Sequence, residues 1–308
     1  MTVTWGPDID TIVAGDLTAG LGYRTPAGGV VVQAVAPIGL RDRVRGTLGF
    51  TTSLGFSKKL ERIAADPRVA LAFHAREHGR ATGPHYILAQ GTAQVITQPS
   101  DALRERVRQL AGERLGAPRQ GPFWRFWLRE YYVNRVPVEI TVTRILFWHT
   151  LDAAGAPDVS GALWDGKPPP AQAPPGGGTA PRIDVARAAA RLRGTAHTLL
   201  GYAGSDGYPV VVPVRVESDG PDGLLLSSAF PLPPGGRRAG LTGHSYRAQL
   251  VGLQTRQHTG WLEVTTAGAR YSPHTEVGYR APANKTLLLL LNGALAKRGV
   301  RRAAREPK

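Results

Sequence analysis

Residues 50–71 read Phe50-Thr51-Thr52-Ser53-Leu54-Gly55-Phe56-Ser57-Lys58-Lys59-Leu60-Glu61-Arg62-Ile63-Ala64-Ala65-Asp66-Pro67-Arg68-Val69-Ala70-Leu71. A strand over Gly46–Thr52 ends in Thr51 and Thr52, Ser53 follows directly, and Gly55 marks a turn. Ser57 fits an N-cap, and Ser57–Ala65 fits a short helix with Leu60, Ile63 and Ala64 on its apolar face. Asp66-Pro67 stops that helix, because a proline disfavours helical geometry in the residue before it. Arg68–Ala75 then alternates as a strand. Hydroxyls at a strand end, followed by a serine and two lysines at a helix start, concentrate donors for an anion. A capped surface helix with solvated lysines fits the same spacing, so the local pattern alone leaves both readings open.

Outward from this stretch, the chain repeats itself. Gly22, Tyr23, Gly28, Val31, Val32 and Val35 fall on Gly201, Tyr202, Gly207, Val210, Val211 and Val214, an offset of 179 positions. The same offset carries Lys58-Lys59 onto Arg237-Arg238, and Arg68 and Leu71 onto Arg247 and Leu250. Strands are expected over Val30–Pro37 and Tyr208–Glu217, then Gly46–Thr52 and Leu224–Phe230, then Arg68–Ala75 and Tyr246–Leu253. Pro213 argues for an edge or a bulge. Ile87–Thr97 and Thr259–Thr266 match at an offset of 169, which places about ten extra residues of the first copy near Arg76–His85. A repeat of this length means two domains or two halves of one site.

Helices are expected at 7–18 and 181–193, at Ser100–Leu115, over the aromatic Phe123–Tyr132, and over Asn284–Arg305. Phe123, Trp127 and Tyr131 follow i, i+4 spacing, which favours core packing. Val136–Thr150 is a long alternating strand that includes Trp148. Leu151–Pro181 is rich in Pro and Gly and reads as a linker. The expected division is a motif-bearing domain at 1–151, a linker at 152–182, and a divergent second domain with a basic C-terminal helix at 183–308. Many short strands and few helices, twice over, favour a mainly β architecture of two barrels with accessory helices.

The chain has no cysteine, so disulfides and thiolate metal sites are excluded. Its 38 cations against 23 acids give a net charge of +15. Arginine supplies 32 of those cations, a bias that high-GC coding also produces, and no aromatic-basic motif of a nucleic-acid module accompanies it. A small-molecule partner is therefore expected and nucleic acid is not. The first residues, MTVTWGPDID, carry neither a basic nor an apolar signal region, and a cytoplasmic protein is expected. The apolar run Thr286–Leu291 is far short of the ~20 residues that span a bilayer. His74, His78 and His85 lie close in sequence, but their spacing without cysteine gives no metal-site pattern, and none is expected. His244 and His258 are expected to pack within the second barrel.

The run from the strand through Ser57-x-Lys59 to Asp66-Pro67-Arg68-Val69-Ala70-Leu71 resembles the flavin-binding split barrel of the pyridoxamine 5'-phosphate oxidase-like superfamily. The resemblance covers roughly residues 8–150, with 181–279 as a divergent second copy in which Pro233-Pro234-Gly235-Gly236-Arg237-Arg238 replaces Ser-x-Lys. It implies two tandem FMN-binding-type split barrels forming an internal pseudo-dimer, with cofactor at their junction and a homodimer as a further arrangement. It implies FMN as cofactor, with the deazaflavin coenzyme F-420 as the alternative and haem third. Ser57, Lys58 and Lys59 would hold the phosphate, Thr51, Thr52 and Ser53 would lie near the phosphate or ring, and Trp148 would touch the cofactor. Arg237 and Arg238 would be anion candidates in the second copy. The implied activity is that of an oxidoreductase acting on a small organic substrate by cofactor hydride transfer, with no catalytic residue visible. The rival is a non-catalytic protein that binds or senses flavin or haem.

Overall fold

The computed structural model describes residues 3–53, 57–117, 119–130 and 135–303, without the side chains at 57 and 299–303. The first half carries helix α1 (Pro7–Gly15) and strands β1 (Ala19–Arg24), β2 (Val30–Val35), β3 (Arg41–Asp42) and β4 (Thr47–Ser53). Helix α2 (Ser57–Ala65), β5 (Arg68–Phe73) and β6 (Tyr86–Val95) follow. Then come α3 (Asp101–Leu115), α4 (Pro122–Trp127), β7 (Arg135–Trp148) and the short β8 (Asp158–Gly161). The second half comprises α5 (Val185–Arg193), β9 (His197–Ala203), β10 (Pro209–Pro213), β11 (Arg215–Gly220), β12 (Gly223–Ser227), β13 (Gly235–Ser245), β14 (Gln254–Thr265), β15 (Gly268–Arg280) and α6 (Lys285–Ala303).

The two sheets share one topology. The first runs β2-β1-β5-β6-β7-β4-β3, and the second β10-β9-β13-β14-β15-β12-β11, each strand in the place of its counterpart. All pairings are antiparallel. The first sheet curls until β2 meets β4, which makes it a barrel rather than an open layer. Even a local irregularity recurs. Both sheets shift register at one glycine, Gly91 in β6 and Gly260 in β14, where any Cβ would strike the carbonyl of Thr141 or Ser272.

Why the early strands are apolar on both faces is clear from where their residues go. Val31, Val69, Leu71, Phe73, Ile87 and Ala89 fill the first barrel. Their neighbours Val30, Val32, Ala70, Ala72, Tyr86 and Leu88 join Leu200, Val211, Val212 and Leu241 in a core that runs across the junction of the two halves. A strand buried on both faces loses its polar alternation. The junction is reciprocal: a Cβ at Gly22 would meet Val211, and a Cβ at Gly201 would meet Val32. The counterpart carbonyls of Val211 and Val32 both accept across the junction, from Tyr86 Oη and from Thr242 Oγ1 respectively. The chain is thus a pseudo-dimer of two split barrels, related residue by residue about a pseudo-two-fold axis.

The pairings correct the repeat alignment beyond residue 230. Gly22 pairs with Ala70 and Gly201 with Gly240, so β13 is the counterpart of β5 at an offset of 170. Arg238 therefore matches Arg68, and Arg237-Arg238 lie on a strand rather than at a helix start. Tyr246–Leu253 is a loop with one short 3-10 turn, not a strand. The shortfall of the second copy arises mainly before β13, where nothing corresponds to α2, rather than at Arg76–His85. The expected strand Tyr208–Glu217 is two strands, with Pro213 closing edge strand β10.

Candidate functional site

The strand–helix passage that concentrates donors in sequence also does so in space. Thr51 Oγ1, on β4, accepts a 3.0 Å hydrogen bond from Arg135 Nη1 at the start of β7. Thr51 pairs with Pro137 across β4 and β7, and this register brings the guanidinium to the hydroxyl. Lys59, on the first turn of α2, is only 6% exposed. Its ammonium lies 5.6 Å from the centroid of Phe50. Burial, and secondarily the positive charge of Arg135, push the Lys59 ammonium down to about 7. A buried ammonium and a half-buried guanidinium that feel each other's charge, with a hydroxyl on the guanidinium, give this end of β4 a positive potential.

Arg135 and Pro137 line a cavity of about 300 Å³ that both halves build. The first half supplies Ala36, Val107 and Leu115, with Arg104, Arg108 and Arg119. The second half supplies Gln249, Leu250, Val251 and Leu253 from the loop after β13, and Tyr279 and Ala281 from the end of β15. Lys285, Leu288, Leu289 and Asn292 of α6 close one side. Five cations and no carboxylate are among these lining residues. The wall is otherwise mostly apolar, so the cleft suits a flat or apolar body that carries an anionic end. Gln249 and Leu250 both hold positive φ, at 57° and 59°. Two consecutive non-glycine residues in the left-handed region store strain in the loop that reaches into the cleft. Gln249 accepts from Lys285 Nζ, which fastens that loop to α6.

The other expected site residues are placed as follows. Thr52 is buried beside Thr51, Ser53 is half-buried at the end of β4, and Lys58 is exposed on α2. The Ser57 side chain lies outside the described residues. Trp148 sits at the opposite end of β7 from Arg135, does not line the cleft, and packs in the inter-barrel core against Tyr86, Trp164 and Phe230. Its indole donates to Gly155 O at 3.1 Å. Arg237 is buried and donates to Pro169 O, Pro233 O and Pro234 O. Arg238 Nη1 donates to Ala173 O. The second-copy arginines thus anchor the connecting segment. The sequence reading did not single out Arg135, Arg104, Arg108, Arg119, Lys285 or the 249–253 loop. No local signal marks them in the sequence, since the chain brings them together from five distant places.

The histidines resolve differently. Among the described residues, no group of three or more His, Asp or Glu is arranged to hold a metal. His85 stacks on Phe147 instead. His74 and His244 are pseudo-two-fold counterparts, and their Nε2 atoms meet at 2.7 Å. His74 Nδ1 lies 3.0 Å from Ala72 O, so with Nδ1–H donating there, Nε2 accepts from His244. Burial, then the neighbouring His197, lower His74 to about 3, and burial lowers His244 well below the ordinary histidine range. Unfolded imidazoles take up protons near 6.5, whereas folded His74 resists to about 3. Stability from this pair is therefore complete above pH 6.5 and is lost as pH falls from 6.5 toward 3, by on the order of a few kcal/mol. Urea midpoints measured across that window should fall with acid in the parent. The slope should flatten in a His74→Met/His244→Met variant, and an equal slope would refute the assignment.

Strand order, the barrel closure of the first sheet and the Ser-x-Lys to Asp-Pro-Arg passage define a tandem split-barrel protein. No family model matches the chain, and no curated protein does. Solved structures similar to it include a haem-binding protein from Mycobacterium smegmatis, at 16% identity and TM-score 0.32, covering 96% of each chain. Another is a pyridoxamine 5'-phosphate oxidase-related, FMN-binding protein from Nostoc punctiforme, at 8% identity and TM-score 0.31, covering 65% of this chain and 87% of that one. A third is a conserved hypothetical protein from Mycobacterium tuberculosis, at 18% identity and TM-score 0.36, covering 48% of this chain and 86% of that one.

Proposed function

We propose that the shared cleft binds a phosphate-bearing flavin, FMN or the deazaflavin coenzyme F-420, and that the chain is an oxidoreductase of a small organic substrate. The observation that carries this reading is half-buried Arg135, which lines a cleft with five cations and no carboxylate among its lining residues and donates to buried Thr51, with the buried Lys59 ammonium feeling its charge. Lys59, Thr51 and Arg135 would hold the phosphate, with Ser57, Lys58, Thr52 and Ser53 around it. Charge-assisted hydrogen bonds in a place water does not reach are the strong ones. The apolar wall of Leu250, Val251, Leu253, Leu288 and Leu289 would take the ring and keep water from it. A bound flavin would supply the hydride chemistry. The protein's part is to orient the ring and to hold the anion. In this reading residues 1–151 form the cofactor-bearing domain, 152–182 the linker, and 183–308 a second domain that completes the cleft.

A haem would need an axial ligand. No His or Met is among the described residues lining the cleft, which leaves Tyr279 as the nearest candidate. The test is the absorption spectrum of the purified protein, with FMN, coenzyme F-420 and haem each added back. Flavin or deazaflavin bands that disappear in Lys58→Ala/Lys59→Ala support the proposal, and turnover with an electron acceptor separates an enzyme from a storage protein. A Soret band with no flavin uptake overturns it.

A further inference from the structure

The helix that sequence spacing assigns to a core is on the surface. In α4, Phe123 is 56% exposed and Phe126 is 70% exposed. In α6, Leu287 is 56% exposed and Leu295 is 43% exposed; they lie eight residues apart and so on one face, with Leu291 between them. The two helices are fixed to each other. Trp127 Nε1 donates to Leu290 O at 3.1 Å, and Lys297 Nζ lies 4.5 Å over the Phe126 ring. Gly293 marks the crossing, since any Cβ there would strike the Trp127 indole. The exposed apolar side chains therefore belong to a built surface.

Its charge is one-sided. Residues 119–130 and 285–303 contain eight cations against one acid, the half-buried Glu130, and the exposed Arg125 and Arg298 flank the apolar side chains. A second copy of the chain would bring these cations face to face with only the half-buried Glu130 of each copy to receive them. No helix among the described residues is long and apolar enough to cross a membrane. An apolar stripe with aromatic residues, ringed by cations, matches the boundary between acyl chains and anionic headgroups. We propose that α4 and the outer face of α6 form a docking surface for an anionic lipid bilayer. Leu288 and Leu289, on another face of α6, line the cleft. A docked protein would hold that cleft one helix away from the headgroups.

The full-length chain is mixed with vesicles of phosphatidylcholine alone, or of three parts phosphatidylcholine to one part phosphatidylglycerol, and bound protein is separated by flotation. Binding to the anionic vesicles should exceed that to neutral ones about tenfold, and added salt should weaken it. Phe123→Ser/Phe126→Ser and Arg125→Glu/Arg298→Glu should each reduce binding about tenfold with the thermal midpoint unchanged, because all four positions are exposed. If the first variant melts early, Leu287→Ser/Leu295→Ser replaces it. The proposal is overturned if anionic lipid confers no advantage, or if the variants float as the parent does. It is equally overturned if the apolar substitutions instead dissolve a homodimer seen by light scattering.

Discussion

Lys59→Met should weaken the binding of a phosphate-bearing flavin by about 10- to 100-fold, the range expected for one lost charge-assisted hydrogen bond. The same substitution should raise the stability of the ligand-free protein. An ammonium held down to about 7 by burial is a cation kept in an unfavourable place. Methionine, of similar length and without charge, removes that cost of on the order of a few kcal/mol. Opposite signs for binding and stability distinguish a ligand-holding lysine from a structural one, which would lose both. The pH dependence follows from the same group. Lys59 must be protonated to hold the anion, so binding takes up a proton above pH 7, and affinity should fall as pH rises from 7. A phosphate monoester sheds its second proton near 6, so affinity should peak between about 6 and 7. Arg135→Gln should move the upper limb to higher pH, because the Arg135 charge is the second cause of the shift. Fluorescence titration of FMN or coenzyme F-420 across pH, paired with thermal melts of the apo protein, decides the matter. An upper limb that stays in place in Lys59→Met would sink it.

How far the sequence led depends on how local each signal is. The passage from Thr51 to Leu71 was legible because its strand end, proline stop and helix are set within a few residues of one another; α2 spans Ser57–Ala65 as expected. The repeat was legible through Gly22 and Gly201, because the close approach of the two barrels leaves no room for any other residue. Beyond residue 230 the alignment failed for a physical reason. The second copy dispenses with α2, and a cationic pair on β13 imitates the lost lysines while serving as anchor for the connecting segment. The cleft was not legible because its walls come from α3, β7, β15, α6 and the 249–253 loop, and no single window of sequence contains two of its arginines beside Lys59. The aromatic helix misled because i, i+4 spacing shows that side chains share a face but not what that face meets. Here Phe123 and Phe126 meet solvent.

Gly201→Ala should be among the most damaging single-methyl additions in the chain, although it lies far from the cleft chemistry. Its Cβ would press on Val32 Cγ2 and lie 3.0 Å from Val30 Cγ1, and both valines are buried and β-branched. Neither can swing aside, since a β-branched side chain has little χ1 freedom and the core around it is full. The cost should be about 1–3 kcal/mol, the usual range for an overpacked core. Gly22→Ala, whose Cβ would lie 2.7 Å from Val211 Cγ2, should behave alike, because the pseudo-two-fold axis exchanges the two contacts. Gly240→Ala should cost more, because its Cβ would meet the Val30 carbonyl and the backbone itself would have to move. The decisive experiment is a double-mutant cycle across the junction. Val32→Ala alone should destabilise by leaving a cavity. In combination with Gly201→Ala it should give back at least about 1 kcal/mol, because the added methyl enters the space that the valine vacates. Urea unfolding of the four proteins, followed by tryptophan emission and by circular dichroism, gives the coupling energy. Strict additivity would mean that the two barrels do not pack as described. Coupling, with one transition seen by both probes, would mean that neither barrel folds without the other and that the cleft between them exists only in the whole chain.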